Sequence, residues 1–255
     1  MRVRVLGCHG AELSNHSTCG FLINGSVLMD AGTVCSSLTL SEQRKIRYIL
    51  ISHIHADHIK GLPFLSENLF TDKMKKPVVI LSIPKVLDGL KKNLFNNQIW
   101  PDFTTLPNRQ NPVFRLKALR EGEGVKLDGL EVKAFAVNHI VPCSGFLIRE
   151  NKSSLLYAGD TNETETIWKA AAEDTHLKAA MIETSFPNAL ENLAVASKHL
   201  TPKLLLQEFS KIGKPHLALY IYHMKPRYLE RIRREIKQLN VERLKILKDG
   251  EAFVV

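Results

Sequence analysis

The sequence predicts a layered α/β fold, and three observations carry that expectation. Short apolar and β-branched runs recur along the 255 residues, Gly, Asn, Asp, Ser or Pro closes each run, and helical stretches lie between several of the later ones. With 44% hydrophobic residues and a mean hydropathy of −0.09, the chain can bury one substantial core. A single domain over residues 1–255 is expected.

In the first half, strands are expected at Val3–Leu6, Cys19–Ile23, Val27–Met29, Tyr48–Ile51 and Val78–Leu81. The second half repeats the pattern at Val132–Val137, Gly145–Ile148, Ser154–Ala158, Ala179–Ile182, Leu217–Tyr222 and Leu244–Leu247, which suggests two similar halves. One helix is well signalled. Thr201 is an N-cap, Pro202 suits the first helical position, Leu204, Leu205 and Phe209 form an apolar face, and Gly213 follows its end. A second helix is read over Tyr228–Leu239, where Leu229, Ile232, Ile236 and Leu239 recur at helical spacing and Arg231, Arg233, Arg234 and Lys237 fill a solvated face. The stretch Asn93–Pro112, with Trp100, Phe103 and several prolines among polar residues, reads as a long loop able to cover a site.

Lys plus Arg number 35 against 26 Asp plus Glu, and the resulting charge of +9 favours anionic partners by steering. Cys8, Cys19, Cys35 and Cys143 form no CxxC pair, so they read as ordinary buried or half-buried thiols of a reducing compartment. The start of the chain lacks the features of a signal peptide, and no apolar stretch approaches the ~20 residues that cross a bilayer. A cytoplasmic protein without a membrane partner is the expectation.

The chemistry concentrates at Ser52–Leu62, where His53, His55, Asp57 and His58 place four potential metal ligands within six residues, directly after a strand-like run. Imidazole and carboxylate suit borderline metals such as zinc, and the bend after a strand lets His53 and His55 face one way and Asp57 and His58 another. His139, Asp160 and His223 each follow a further strand-like run directly. Two ions about 3.5–4 Å apart can share and acidify a water and neutralise charge on a phosphoryl oxygen. Five neutral imidazoles and two carboxylates leave two divalent ions electrophilic, which draws an anionic ester.

The run His53-Ile-His55-Ala-Asp57-His58 resembles the HxHxDH signature of the metallo-β-lactamase superfamily, and His139, Gly159-Asp160 and His223 match its later motifs in order. The resemblance implies an α/β four-layered αββα sandwich of the metallo-β-lactamase type. It also implies one metal held by His53, His55 and His139, another by Asp57, His58 and His223, and Asp160 bridging them. Asp30, in Leu-Met-Asp-Ala-Gly, corresponds to a buried aspartate that orients the ligand loop. Two divalent ions are therefore expected as cofactors, zinc first, with Mn2+ or Fe2+ as alternatives.

Within the superfamily, Glu183-Thr-Ser185, His199-Leu-Thr201-Pro202 and His223-Met-Lys225-Pro226 are similar to the E-x-S, H-L-T-P and H-x-K-P elements of the class II cyclic-nucleotide phosphodiesterases. By that resemblance the substrate is a 3′,5′-cyclic nucleotide, a small anionic phosphodiester, and the product a nucleoside 5′-monophosphate. His199, Asp57 and Thr201 are the expected catalytic residues: His199 assists the departing oxygen, Thr201 supports its loop, and Glu183 stands behind them. Relatives often form homodimers, and the sequence leaves a homodimer open for this chain. Ribonuclease Z, with tRNA as its partner, is the alternative, because His139-Ile-Val-Pro142 and Glu183-Thr-Ser-Phe186 also resemble its elements. The short turn within Ile148–Leu155 leaves no room for that enzyme's tRNA-gripping arm. A thioester hydrolase and a non-catalytic nucleotide-binding protein are further alternatives.

Overall fold

The computed structural model describes residues 1–70 and 76–255. The first half supplies β1 (Arg2–Gly7), β2 (Gly20–Ile23), β3 (Val27–Met29), β4 (Tyr48–Leu50), β5 (Val78–Ser82) and β6 (Phe114–Ala118). The second supplies β7 (Val125–Leu127), β8 (Leu130–Val137), β9 (Cys143–Glu150), β10 (Ser153–Tyr157), β11 (Leu177–Glu183), β12 (Ala218–Tyr222), β13 (Leu244–Ile246) and β14 (Ala252–Val254). One sheet runs β14-β1-β2-β3-β4-β5-β6 and the other β13-β12-β11-β10-β9-β8-β7. β14 thus returns from the end of the chain to pair with β1, with Arg2 opposite Val254.

Strand alternation decides the layering, because successive side chains point to opposite faces. On β2, Phe21 and Ile23 join the cluster between the two sheets while Leu22 points to the outer cluster. The inner cluster takes Val3, Val5, Met29 and Leu50 from the first sheet and Phe146, Ile148, Tyr157, Met181 and Tyr222 from the second. Fully burying each large apolar side chain of this kind contributes roughly 1.5–3 kcal/mol, and the interlayer core in this way holds the two sheets together. The outer face of the first sheet is covered by α1 (Val34–Ser37), α2 (Leu40–Gln43), α4 (Gly61–Leu69) and α5 (Pro84–Asn93), with the single turn α3 (Ala56–Ile59) preceding α4. The outer face of the second carries α6 (Thr166–Glu173), α8 (Pro202–Ser210) and α9 (Leu229–Lys237), with the short α7 (Glu191–Ala196) before α8. The αββα sandwich expected from the sequence is the architecture observed.

Thr201 caps α8 as the sequence indicates, its hydroxyl accepting from the Leu204 amide at 3.4 Å. On α9, Leu229, Ile232 and Ile236 are buried while Arg231 and Arg234 face solvent. The Asn93–Pro112 segment turns toward the helices of its own layer. Trp100 donates to Ser66 Oγ at 3.2 Å and lies against Phe64, and Lys91 bonds Asp102 at 2.7 Å. Three strands escaped the sequence reading, β6, β7 and β14. Each is at or beside a sheet edge and carries charged or exposed residues on its open side, which masks the apolar run.

Strand direction positions the site. β3, β4, β5 and β6 are mutually parallel, as are β10, β11, β12 and β13, so their C-terminal ends gather on one edge of each sheet. Ligands in open α/β sheets bind at such edges.

Candidate metal centre and the comparisons

Every residue expected to hold metal follows the C-terminal end of a strand on this shared edge. β4 delivers Ser52, His53 and His55, the turn α3 presents Asp57 and His58, β8 leads to His139, β10 to Asp160 and β12 to His223. His53, His55 and His139 form one group, with His139 Nε2 3.2 Å from His55 Nδ1. Asp160 Oδ2 lies 3.7 Å from His53 Nε2, 3.4 Å from His58 Nε2 and 3.1 Å from His223 Nε2, and so touches both halves of the constellation. Asp57 Oδ2 completes the second half at 3.1 Å from His223 Nε2 and 3.8 Å from His58 Nε2.

These atoms fit cations better than they fit each other. His53 Nε2 and Asp160 Oδ1 are buried without a hydrogen-bond partner among the described residues, a costly condition for polar atoms. His58 Nε2 and His223 Nε2 face one another at 3.1 Å, while their Nδ1 atoms bond Asp30 at 2.7 Å and Ser185 at 2.8 Å. With the hydrogens on Nδ1, two lone pairs point into the gap, the arrangement that outer partners impose on metal-ligating histidines. Burial, reinforced by neighbouring imidazoles, pushes His53 well below the ordinary histidine range and His139 down to about 4; burial also lowers His55. All three rings are neutral at neutral pH, the form in which an imidazole can bind a metal. Burial opposes ionisation of Asp57 and Asp160, but His58 and His223 outweigh it and hold both carboxyls well below their usual range. Burial likewise disfavours a charged His58, yet the Asp160, Asp30 and Asp57 carboxylates around it prevail and raise its pKa.

Asp30 fastens the floor. Fully buried, it accepts from the Ser52 amide at 2.7 Å, the Ser52 hydroxyl at 2.7 Å, His58 Nδ1 at 2.7 Å and the Tyr157 hydroxyl at 2.6 Å. Its backbone is left-handed (φ 53°), as are those of Lys198 (φ 58°) and His223 (φ 67°). Such conformations in non-glycine residues persist only where the surroundings enforce them, and they cluster at functional sites. Ser52 is adjacent to the ligand run, but nothing in the sequence marks Tyr157 as Asp30's partner. Lys198 is a second residue missed: its carbonyl lies 3.1 Å from His139 Nδ1 and orients that ring.

His199 stands beside the cluster, stacked on His223 with ring centroids 5.3 Å apart and edge-on to His139 at 5.1 Å. Glu183 Oε1 binds His199 Nδ1 at 2.7 Å, and Ser185 Oγ lies 3.2 Å from the same nitrogen. Burial lowers the tendency of His199 to protonate, but the Glu183 carboxylate overcomes it and raises the pKa above the ordinary value. Thr201 is fully buried, and its hydroxyl reaches the α8 backbone, not the cluster. Of the phenylalanines, Phe21 and Phe146 are interlayer core and Phe103 is outer core. Phe186 lies 5.9 Å from the His199 ring, with Tyr228 at 6.0 Å and the Lys225 ammonium over its face at 5.3 Å.

Among the described residues no helix is long and apolar enough to cross a membrane. The chain is 29% identical over 209 residues to a protein of Yersinia pestis described as a probable 3′,5′-cyclic-nucleotide phosphodiesterase, a match covering 73% of this chain and 59% of that one. The chain therefore spans about three fifths of that relative. The structure of unliganded yeast PDE1 superposes with a TM-score of 0.81 at 21% identity, covering 100% of this chain and 99% of the other. A Bacillus subtilis metallo-β-lactamase fold protein, YhfI, does so with a TM-score of 0.79 at 18% identity over 99% of each chain. The profile of the class-II cAMP phosphodiesterases matches residues 32–249, which contain all seven clustered His and Asp side chains and His199. With most of its length and the whole cluster inside that match, the chain belongs to the class-II cAMP phosphodiesterase family.

Proposed function

We propose that this chain hydrolyses 3′,5′-cyclic nucleotides to nucleoside 5′-monophosphates with two divalent ions, zinc in the first instance. The observation that carries the reading is the Glu183–His199 pair, held against a seven-residue His/Asp cluster in a chain of this family. His53, His55 and His139 would hold one ion, Asp57, His58 and His223 the other, and Asp160 would serve both. Bound there, the ions would supply Lewis acidity, lowering the pKa of water and neutralising charge on the phosphoryl oxygens.

The chain's own residues do the rest. Hydrolysis adds the oxygen of water to phosphorus and breaks the bond to the ribose O3′, which needs a proton as it leaves. Glu183 fixes His199 Nδ1 and favours the charged ring, so Nε2 is the atom that delivers this proton. Ser185 and the Thr201 cap hold the turn that carries His199, and Lys198 orients His139 through its carbonyl. The net charge of +9 favours capture of an anionic ester. β9 and β10 are joined by a tight turn, Glu150 opposite Ser153, which offers a polynucleotide no projecting arm and supports a small substrate.

The test compares initial rates on cyclic AMP, cyclic GMP, bis(p-nitrophenyl) phosphate and a 3′-extended tRNA precursor, with Asp160→Ala as control. Turnover of a cyclic nucleotide, abolished in the control, is expected. His199→Ala should lower that turnover roughly 10²–10⁴-fold with unchanged metal content. Cleavage of the tRNA precursor with cyclic nucleotides untouched would overturn the reading, and a near-native rate for His199→Ala would remove its proton from the mechanism.

A further inference from the structure

Cys8, His9 and Asp249 lie outside the cluster described above, at the far ends of the sequence, and their donor atoms converge. Cys8 Sγ is 3.3 Å from Asp249 Oδ1 and 3.9 Å from His9 Nδ1, and His9 Nδ1 is 3.2 Å from Asp249 Oδ1. Bonds of about 2.0–2.3 Å around a tetrahedral zinc place neighbouring donors roughly 3.3–3.6 Å apart; the two separations to Asp249 Oδ1 lie at that spacing, and the Cys8–His9 separation needs to close by about 0.3 Å for the three atoms to share one ion.

The scaffold around them is already set. Asp249 is anchored through Oδ2 by the Ser17 amide at 2.7 Å and through Oδ1 by the Cys8 amide at 3.1 Å. The His9 backbone forms bridges to both Thr18 and Met224. Cys8 and His9 are buried, while the Asp249 side chain keeps 22% exposure, enough for an ion to enter from solvent. His16, its ring edge-on to His9 at 4.7 Å, puts another imidazole beside the triad.

From this geometry we propose that Cys8, His9 and Asp249 form a further binding site for one divalent ion of the zinc type. On binding, the Cys8 thiol releases its proton to solvent and the sulfur joins the ion as thiolate. His9 binds as the neutral ring through Nδ1 and Asp249 through Oδ1, and a water completes four positions. One thiolate and one carboxylate cancel the ion's two positive charges, so the buried site carries no net charge. Thiolate, imidazole and carboxylate together select zinc or cobalt over magnesium or calcium, which prefer oxygen alone.

The site connects to the cluster through its backbone. The Cys8 carbonyl accepts from the His223 amide at 2.6 Å, and a Cβ on Gly10 would fall 2.6 Å from the His223 carbonyl oxygen. An ion that fixes residues 8–9 to Asp249 thereby fixes the strip of backbone against which His223 is held.

Cobalt(II) gives a readout that does not depend on turnover, because a thiolate ligand produces a near-ultraviolet charge-transfer band that His and Asp ligands do not. The native protein, stripped by chelator and reloaded with cobalt, is expected to show this band. Cys8→Ala should abolish it and bind one cobalt fewer per chain, while Cys19→Ala, which removes a thiol grouped with the main cluster's His58 and His223, should retain it. Absence of the band in the native protein, or its survival in Cys8→Ala, would overturn the proposal. Should Cys8→Ala fail to fold, Asp249→Asn replaces it: loss of one cobalt supports the site, and native cobalt content refutes it.

Discussion

Replacing Asp30 by asparagine preserves the shape of the site and changes only its hydrogen-bond logic. Two of the four groups bonded to Asp30 are donors of fixed direction, the Ser52 amide on Oδ1 and His58 Nδ1 on Oδ2; the Ser52 and Tyr157 hydroxyls can rotate. A carboxamide has one acceptor oxygen, so either flip state turns its NH2 against one fixed donor. If the NH2 meets the Ser52 amide, a buried N–H is left unpaired, at a cost of about 1–3 kcal/mol. If it meets His58 Nδ1, the ring must move its hydrogen to Nε2, the atom directed at His223 and Asp160. Changes to the outer partner of a metal-ligating histidine typically weaken metal binding about 10–100-fold. Asp30→Asn is therefore expected to lose either stability or metal affinity on that scale. For a chain of this size each kcal/mol corresponds to about 2–4 °C in Tm. Thermal unfolding of the metal-free protein and zinc titration against a competing chelator measure the two arms separately. Native Tm together with native zinc affinity would refute the argument that Asp30 sets the His58 tautomer.

Gly32→Ala should be worse than its size suggests, because the added Cβ would lie 2.0 Å from the Asp57 carbonyl oxygen and 2.7 Å from that of Cys19, both backbone atoms that cannot turn aside. Overpacking of this kind costs about 1–3 kcal/mol or more, and zinc retention through dialysis should fall with it; a variant that keeps both Tm and zinc would contradict the packing. Chelation should lower Tm reversibly, since an ion held at 100 times its dissociation constant stabilises the fold by about 2.7 kcal/mol. A Tm indifferent to chelator and to added zinc would count against ions at the cluster. In the metal-free folded protein the thiols should resist alkylation at pH 8. Burial pushes Cys35 up to about 11 and Cys8, Cys19 and Cys143 well above the ordinary value, so the reactive thiolate is scarce until pH approaches those values. Ellman's reagent should then count four thiols only after unfolding, and rapid labelling of the folded chain would disprove the burial.

How much could be read without coordinates depended on distance along the chain. His53, His55, Asp57 and His58 are legible because four potential ligands crowd six residues after an apolar strand, and His139, Asp160 and His223 because each follows a further strand. The αββα layering came from the family resemblance that the motif carries, and Thr201 and Gly213 bounded α8 through rules that operate within one helical turn. The capping signals are local, set by backbone geometry over a few residues.

Contacts between distant segments were invisible. Tyr157 completes the shell of Asp30 across 127 residues, and Asp249 meets Cys8 across 241. Phe21 and Phe186 look alike in sequence, yet strand parity buries one between the sheets and a loop places the other beside His199. Edge strands β6, β7 and β14 carry too little apolar pattern to announce themselves, because an edge buries only part of its surface. The sequence determined which residues can bind metal and which runs form the sheets. Only the packing of two sheets, which brings strand ends more than a hundred residues apart onto one edge, decided which partners orient those ligands and fix their protons.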